Sequence, residues 1–350
     1  MAFYDRVREL GELDKLASRF STVIVYGPRG VGKSELTRYW IDKRRVTSLY
    51  VYAREQRVLV SSVAERALGR GTAARLASIF MEAEPGLRTL LKLVEALQEA
   101  VASATRALGR RILYLVLDEF HLLSGYREAS EALRDLESLS AMLVKGEIRG
   151  MRVVLTVSEG FFATTRAISR FRGYGAAYML VEGLDCSHYM ALLDEYAEKN
   201  PSCRGLDRME LVAVTGTAPG YVPEACSYLG DPALRQRYIA GLVAELEQAL
   251  ARIARSLGLG RDEVIELARR ALAEPVQPLR DPVLAELGEK LVEDNIAYPV
   301  LRGGGIEYRP QLPLYRAVIE ETSRRHAESL LGLGIETVIE AAKEVSPCRS

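Results

Sequence analysis

Residues 27–34, GPRGVGKS, place Gly27, Gly32, Lys33 and Ser34 at the fixed positions of G-x-x-x-x-G-K-[ST]. Glycines let successive backbone N–H groups converge on an anion, and a following helix adds the positive end of its dipole. The chemistry implied is polyphosphate binding: Pro28, Arg29, Gly30 and Val31 form the cradle between the glycines, and Glu35 sits in the first turn of the helix. Lys33 would reach the β- and γ-phosphates, and the Ser34 hydroxyl would ligate magnesium. A cradle alone hydrolyses nothing. The stretch LYLVLDEF supplies the rest, 85 residues after Lys33. Asp118 would hold the metal ion, while Glu119 would orient the attacking water and accept its proton.

Two further candidates depend on later strands. VVLTVSEG ends in polar residues at the tip of a strand expected to lie beside LYLVLD, which makes Ser158 the first choice to contact the γ-phosphate or the water and Thr156 the second. Arginine commonly meets the charge of a transferred phosphoryl group. TTRAISRFRGYG offers Arg166, Arg170 and Arg172, of which Arg172 is the chosen candidate. His121, just past the acidic pair, reads as a packing or capping residue.

These residues need a scaffold that brings them together. Apolar strands are expected at 21–26, 46–53, 111–120, 152–159 and 176–184, with helices between them. Strands apolar throughout and separated by helices indicate a parallel sheet covered on both faces. The opening helix, 1–20, places Val7, Leu10, Leu13 and Leu16 at helical spacing, and 56–108 reads as a long, interrupted helical region. Beyond 184 the pattern is helical at 186–198, 206–215, 222–229 and 233–258. A Pro-rich joint at 273–282 precedes a helix at 283–295, a hairpin at 297–310 and a final helix at 312–344.

Length and composition bound the rest. A chain of 350 residues exceeds what one core usually supports, so two or three domains are expected. With 47 basic and 47 acidic residues the net charge is zero, which argues against a surface built throughout to hold nucleic acid or anionic lipid. Cys186, Cys203, Cys226 and Cys348 form no C-x-x-C pair, and His121, His188 and His326 are scattered, so no zinc site is expected. The charged start is not a signal peptide, no run is apolar enough to span a bilayer, and the cytoplasm is the expected compartment.

On these residues the chain resembles the archaeal P-loop ATPases grouped with the AAA+ and STAND ATPases. The start FYDRVREL is similar to that family's opening motif, which implies that Asp5 and Arg6 lie near the adenine. VTGTAPGYV resembles its lid motif and implies that Gly216, Pro219 and Tyr221 approach the nucleotide; a threonine, Thr217, stands where the family usually repeats the glycine. LVEDNIAYPVLRGGGIEYRP is similar to the last helix and wing of a winged-helix domain. The resemblance implies an α/β P-loop core at 1–185, a helical lid at 186–260 and a winged-helix-like domain at 261–350, with ATP and Mg2+ as ligands.

Two uses of ATP hydrolysis follow: a conformational switch that repositions the winged helix, or a DNA-binding regulator of the origin-recognition kind. A small-molecule kinase is disfavoured by the missing acceptor site. Residues 281–350 hold 12 acidic and 8 basic residues, and the helix at 283–295 sets Glu286, Glu289, Glu293 and Asp294 against Lys290. Such a surface repels phosphates, leaving Arg302 and Arg309 to reach a groove. A protein partner, or control within the chain, is therefore favoured over DNA.

Overall fold

The computed structural model describes residues 6–52, 57–60, 112–119, 151–157, 176–302, 305–325 and 332–349. It divides into two compact units, one of residues 5–26 with 33–181, the other mainly of 27–32 with 182–350.

The first unit is built on a sheet. Helix α1 (Val7–Arg19) is followed by β1 (Thr22–Tyr26), α2 (Lys33–Arg44), β2 (Ser48–Tyr52), β3 (Arg57–Val60), β4 (Leu113–Asp118), β5 (Met151–Thr156) and β6 (Ala176–Leu180). Among the described residues the strand order is β3-β2-β4-β5-β1-β6. The five expected strands are all present and mutually parallel, and every residue of β1 and β2 is buried. Parallel pairing puts the carboxyl ends of β1, β4 and β5 on one edge of the sheet, where ligands of such sheets collect. β5 lies beside β4, as expected, with Leu113 opposite Met151 and Leu117 opposite Leu155. β3 corrects the sequence reading, which took 57–60 as the start of a helical region. It pairs antiparallel with β2, Leu49 opposite Val60. Four residues are too few for periodicity to separate strand from helix, and pairing with β2 decides.

α1 also departs from its expected stripe. Leu13 and Ala17 are buried, whereas Val7 is 74% exposed. The Trp40 indole of α2 donates to Asp14 of α1 at 3.2 Å and meets the Tyr114 ring edge-on at 5.2 Å, fixing both helices to the sheet.

The second unit is helical. It holds α3 (Cys186–Lys199), a 3-10 turn at Pro201–Cys203, α4 (Arg208–Thr215), a second 3-10 turn at Pro219–Tyr221, α5 (Val222–Leu229), α6 (Pro232–Leu257), α7 (Arg261–Ala273) and α8 (Pro282–Glu293). The hairpin β7 (Ala297–Arg302) and β8 (Gly305–Pro310) follows, then α9 (Pro313–Arg325) and α10 (Ile335–Glu344). Asp-Pro pairs start two of these helices. The Asp231 carboxylate accepts from the N–H groups of Ala233 and Leu234 at 2.8 and 3.0 Å, and Asp281 accepts from Leu284 at 3.3 Å, each with proline at the first helical position. α7 was not marked off in the sequence. The single helix expected at 312–344 is instead two: α9 ends at Arg325, and α10 begins after Gly334, where GLG offers poor helix propensity.

All four cysteines pair, Cys186 with Cys348 and Cys203 with Cys226. Among the described residues no helix is long and apolar enough to cross a membrane.

Candidate active site

The phosphate loop joins the end of β1 to α2, whose first residue is Lys33. Gly30 and Gly32 carry φ of +78° and +95°, the left-handed region that side chains rarely adopt, so the two glycines are required by the turn. Helix α2 therefore presents the N–H groups of its first turn at the loop. Pro28 and Val31 are buried, Arg29 is exposed, and the Lys33 side chain is buried. Glu35 faces solvent and binds Arg38, so what it offers an anion is its backbone N–H.

The acidic strand end is tied to the same helix. Ser34 Oγ donates to Asp118 Oδ1 at 2.8 Å, and the Thr156 hydroxyl donates to the same oxygen. Thr156 also accepts from the Glu119 N–H at 3.0 Å. The tip of β5 thus holds both acidic residues of β4's end. Glu119 has φ of +49°, a backbone conformation uncommon for a residue with a side chain and found disproportionately at active sites. A hydroxyl and a carboxylate converging here form the hard-oxygen donor set that suits magnesium.

Behind them stands Tyr50, which sequence reasoning missed. Its hydroxyl donates to the Ser34 carbonyl at 3.3 Å and bonds Thr37 Oγ1 at 3.1 Å, while Thr37 donates to the carbonyls of Ser34 and Lys33 at 3.0 and 3.2 Å. Burial, and next the Asp118 charge, push the Tyr50 phenol far above its ordinary range. The first turn of α2 is pinned from below.

In the other unit, α4 ends at Gly216, φ +60°, and the 3-10 turn follows. The Gly220 N–H donates to the Gly30 carbonyl at 2.8 Å. A Cβ at Gly220 would lie 2.8 Å from Gly30 Cα, a distance that only glycine permits. Tyr221 packs its ring against Gly30 as well. Within GTAPGY, Gly220 bonds the loop, whereas the sequence reading had picked Gly216, Pro219 and Tyr221. Arg6 is the residue before α1, is buried, and pairs with Glu9 at 2.7 Å. Asp5, His121, Ser158, Arg166, Arg170 and Arg172 lie outside the described residues.

Residues 3–225 match the family model of an ATPase domain found predominantly in Archaea. The chain belongs to this archaeal ATPase family. It is an ATP-hydrolysing P-loop enzyme, and it binds nucleotide. A Walker-type ATPase of Pyrococcus abyssi is similar in structure, with a TM-score of 0.52 and 19% identity over 91% of this chain and 96% of that one. The ORC2 protein of Aeropyrum pernix, solved in complexes with ADPNP and ADP, gives 0.43 and 16% over 98% and 94%. Cdc6p of Pyrobaculum aerophilum gives 0.38 and 14% over 92% and 94%. No curated protein matches the sequence. In the archaeal ATPase the described site thus unites Lys33, Ser34, Asp118, Glu119 and the second-choice Thr156. A polar aromatic in the strand SLYVY was the only hint of Tyr50.

Proposed function

We propose that the ATPase hydrolyses ATP with magnesium and uses the cycle as a conformational switch that repositions its C-terminal winged-helix-like part. Loop N–H groups from Gly27 to Glu35, save at Pro28, which has none, and the Lys33 ammonium bind the phosphates. Ser34 and Asp118 would hold the magnesium ion, which would neutralise charge on the β- and γ-oxygens. Glu119 orients the attacking water and takes its proton, aided by Ser158 or Thr156, and Arg172 meets the charge on the transferred group. Asp5 and Arg6 border the base, and Pro219 contacts the base or the phosphates. The division into a core at 1–185, a lid at 186–260 and a winged-helix-like domain at 261–350 belongs to the same proposal.

One observation carries the switch: the Gly220 N–H bonds the Gly30 carbonyl. A phosphate loop that shifts with the nucleotide pulls directly on the turn that starts α5. Hydrogen exchange over residues 216–229 tests it, comparing Glu119→Gln loaded with ATP against the wild type loaded with ADP. Equal exchange in the two states would discard the switch.

A protein partner fits the C-terminal surface better than DNA. Arg309 is held by Glu182 and, at 2.8 Å, by Glu307, while Lys290 is held by Glu293 at 2.6 Å. These cations are spent before a phosphate arrives. An ATPase rate that rises with duplex DNA would instead favour the origin-recognition-like reading. The proposed compartment is the cytoplasm, where paired cysteines are ordinary only in hyperthermophiles.

A further inference from the structure

A cavity of about 480 Å³ opens within the unit of residues 27–32 and 182–350; Arg29 of the phosphate loop and Tyr221 lie on its wall, whereas Arg6 and Pro219 do not line it. Gln311 does line it. That residue is 7% exposed, and both Oε1 and Nε2 of its carboxamide are buried without a hydrogen-bond partner. Native proteins seldom leave a buried donor and acceptor unmet, and a group that meets both must present an acceptor and a donor side by side.

The surroundings narrow the choice. Tyr221, Tyr238 and Tyr315 supply aromatic walls, Tyr315 being buried. Glu224 and Glu245 also line the cavity, both exposed and neither ion-paired with another described residue. They lie close enough to raise the Tyr238 phenol further above its ordinary range than burial alone does. Of the two cations on the wall, Arg252 is already held by Asp294 at 2.7 Å, and Arg29 belongs to the phosphate loop, which leaves the two carboxylates to set the charge at the far wall.

We propose that this cavity binds an uncharged adenine nucleoside. The base stacks on tyrosine, a sequence-tolerant interaction with any π-face. Its edge meets the Gln311 carboxamide, the pairing by which glutamine contacts adenine N6 and N7. The ribose hydroxyls donate to Glu224 and Glu245, whose charges at the same time disfavour a phosphorylated ligand. Tyr221 also packs on Gly30, so an occupant touches a residue that touches the phosphate loop.

Calorimetry on the full-length chain carrying Lys33→Ala removes the loop's hold on phosphates, so that AMP and oligo(dA) are compared with adenosine without it, and Gln311→Leu reports on the cavity itself. Adenosine is expected to bind that variant at one site, with AMP and oligo(dA) at least tenfold weaker. Adding Gln311→Leu should weaken adenosine at least tenfold. The same substitution should leave the ligand-free melting temperature unchanged or higher, because leucine removes an unmet polar group. Adenosine binding that survives Gln311→Leu in a folded chain would overturn the proposal. So would its loss with Lys33→Ala alone, tighter binding of AMP or the oligonucleotide, or no adenosine binding at millimolar concentration.

Discussion

Glu119 and Tyr50 show how differently two residues of one site enter the chemistry. Glu119 follows the strand end and hangs from Thr156 by its N–H. If it takes the proton of the attacking water, Glu119→Gln keeps shape and nucleotide affinity but slows turnover by about 10²–10⁴-fold. Single-turnover hydrolysis and ATP titration read the two separately, and unchanged turnover would assign the water to another residue. Tyr50 acts through α2. Burial keeps its phenol protonated past the ordinary range, so the hydroxyl donates to the Ser34 carbonyl at any usual assay pH. Tyr50→Phe should cost about 1 kcal/mol of stability and raise the magnesium concentration needed for half-maximal turnover, since Ser34 loses an anchor. An unchanged magnesium requirement would reduce Tyr50 to a packing role.

At the scale of elements, legibility followed the strength of the local signal. β1, β4 and β5 are continuous apolar runs, and their tips carry the chemistry, so both sheet and acidic pair could be read from the residues alone. β3 could not, because four residues are too few to show a periodicity and only their pairing with β2 makes them a strand. Gly220 was hidden for a related reason: its role is a close backbone approach to Gly30, which no local pattern encodes. The Gly334 boundary between α9 and α10 was visible as GLG but was overridden by the helical periodicity on either side. Close approach makes its own prediction in the second unit. Gly288 of α8 faces the Tyr308 ring of β8, and a Cβ there would lie 2.2 Å from the ring, whose hydroxyl bonds the Ala285 carbonyl at 3.3 Å. Tyr308 is 2% exposed and has little room to yield. Gly288→Ala should therefore lower the unfolding free energy by about 1–3 kcal/mol, read from the urea midpoint. Adding Tyr308→Leu should return part of the loss; strictly additive costs would place the strain elsewhere.

At the scale of the whole chain, the cysteines matter more than their spacing suggested. Cys186 opens α3 and Cys348 lies beyond α10, so this bond closes 162 residues, whereas Cys203–Cys226 closes 23 between the turn after α3 and α5. Cross-linking removes loop entropy from the unfolded chain, roughly as the logarithm of loop length. That relation puts the long bond at about 5 kcal/mol and the short one at about 3.5 kcal/mol, before any adjustment for native-state strain. The long bond has a second effect: it ties the residues after α10 to the first turn of α3. Cys348→Ser should thus destabilise the chain more than Cys203→Ser in urea without reductant, and the three proteins should converge when dithiothreitol is added. Thiol titration of the unfolded, unreduced wild type is expected to find no free thiol. A full count of four, or equal midpoints with and without reductant, would show that the chain is held by its packed helices alone.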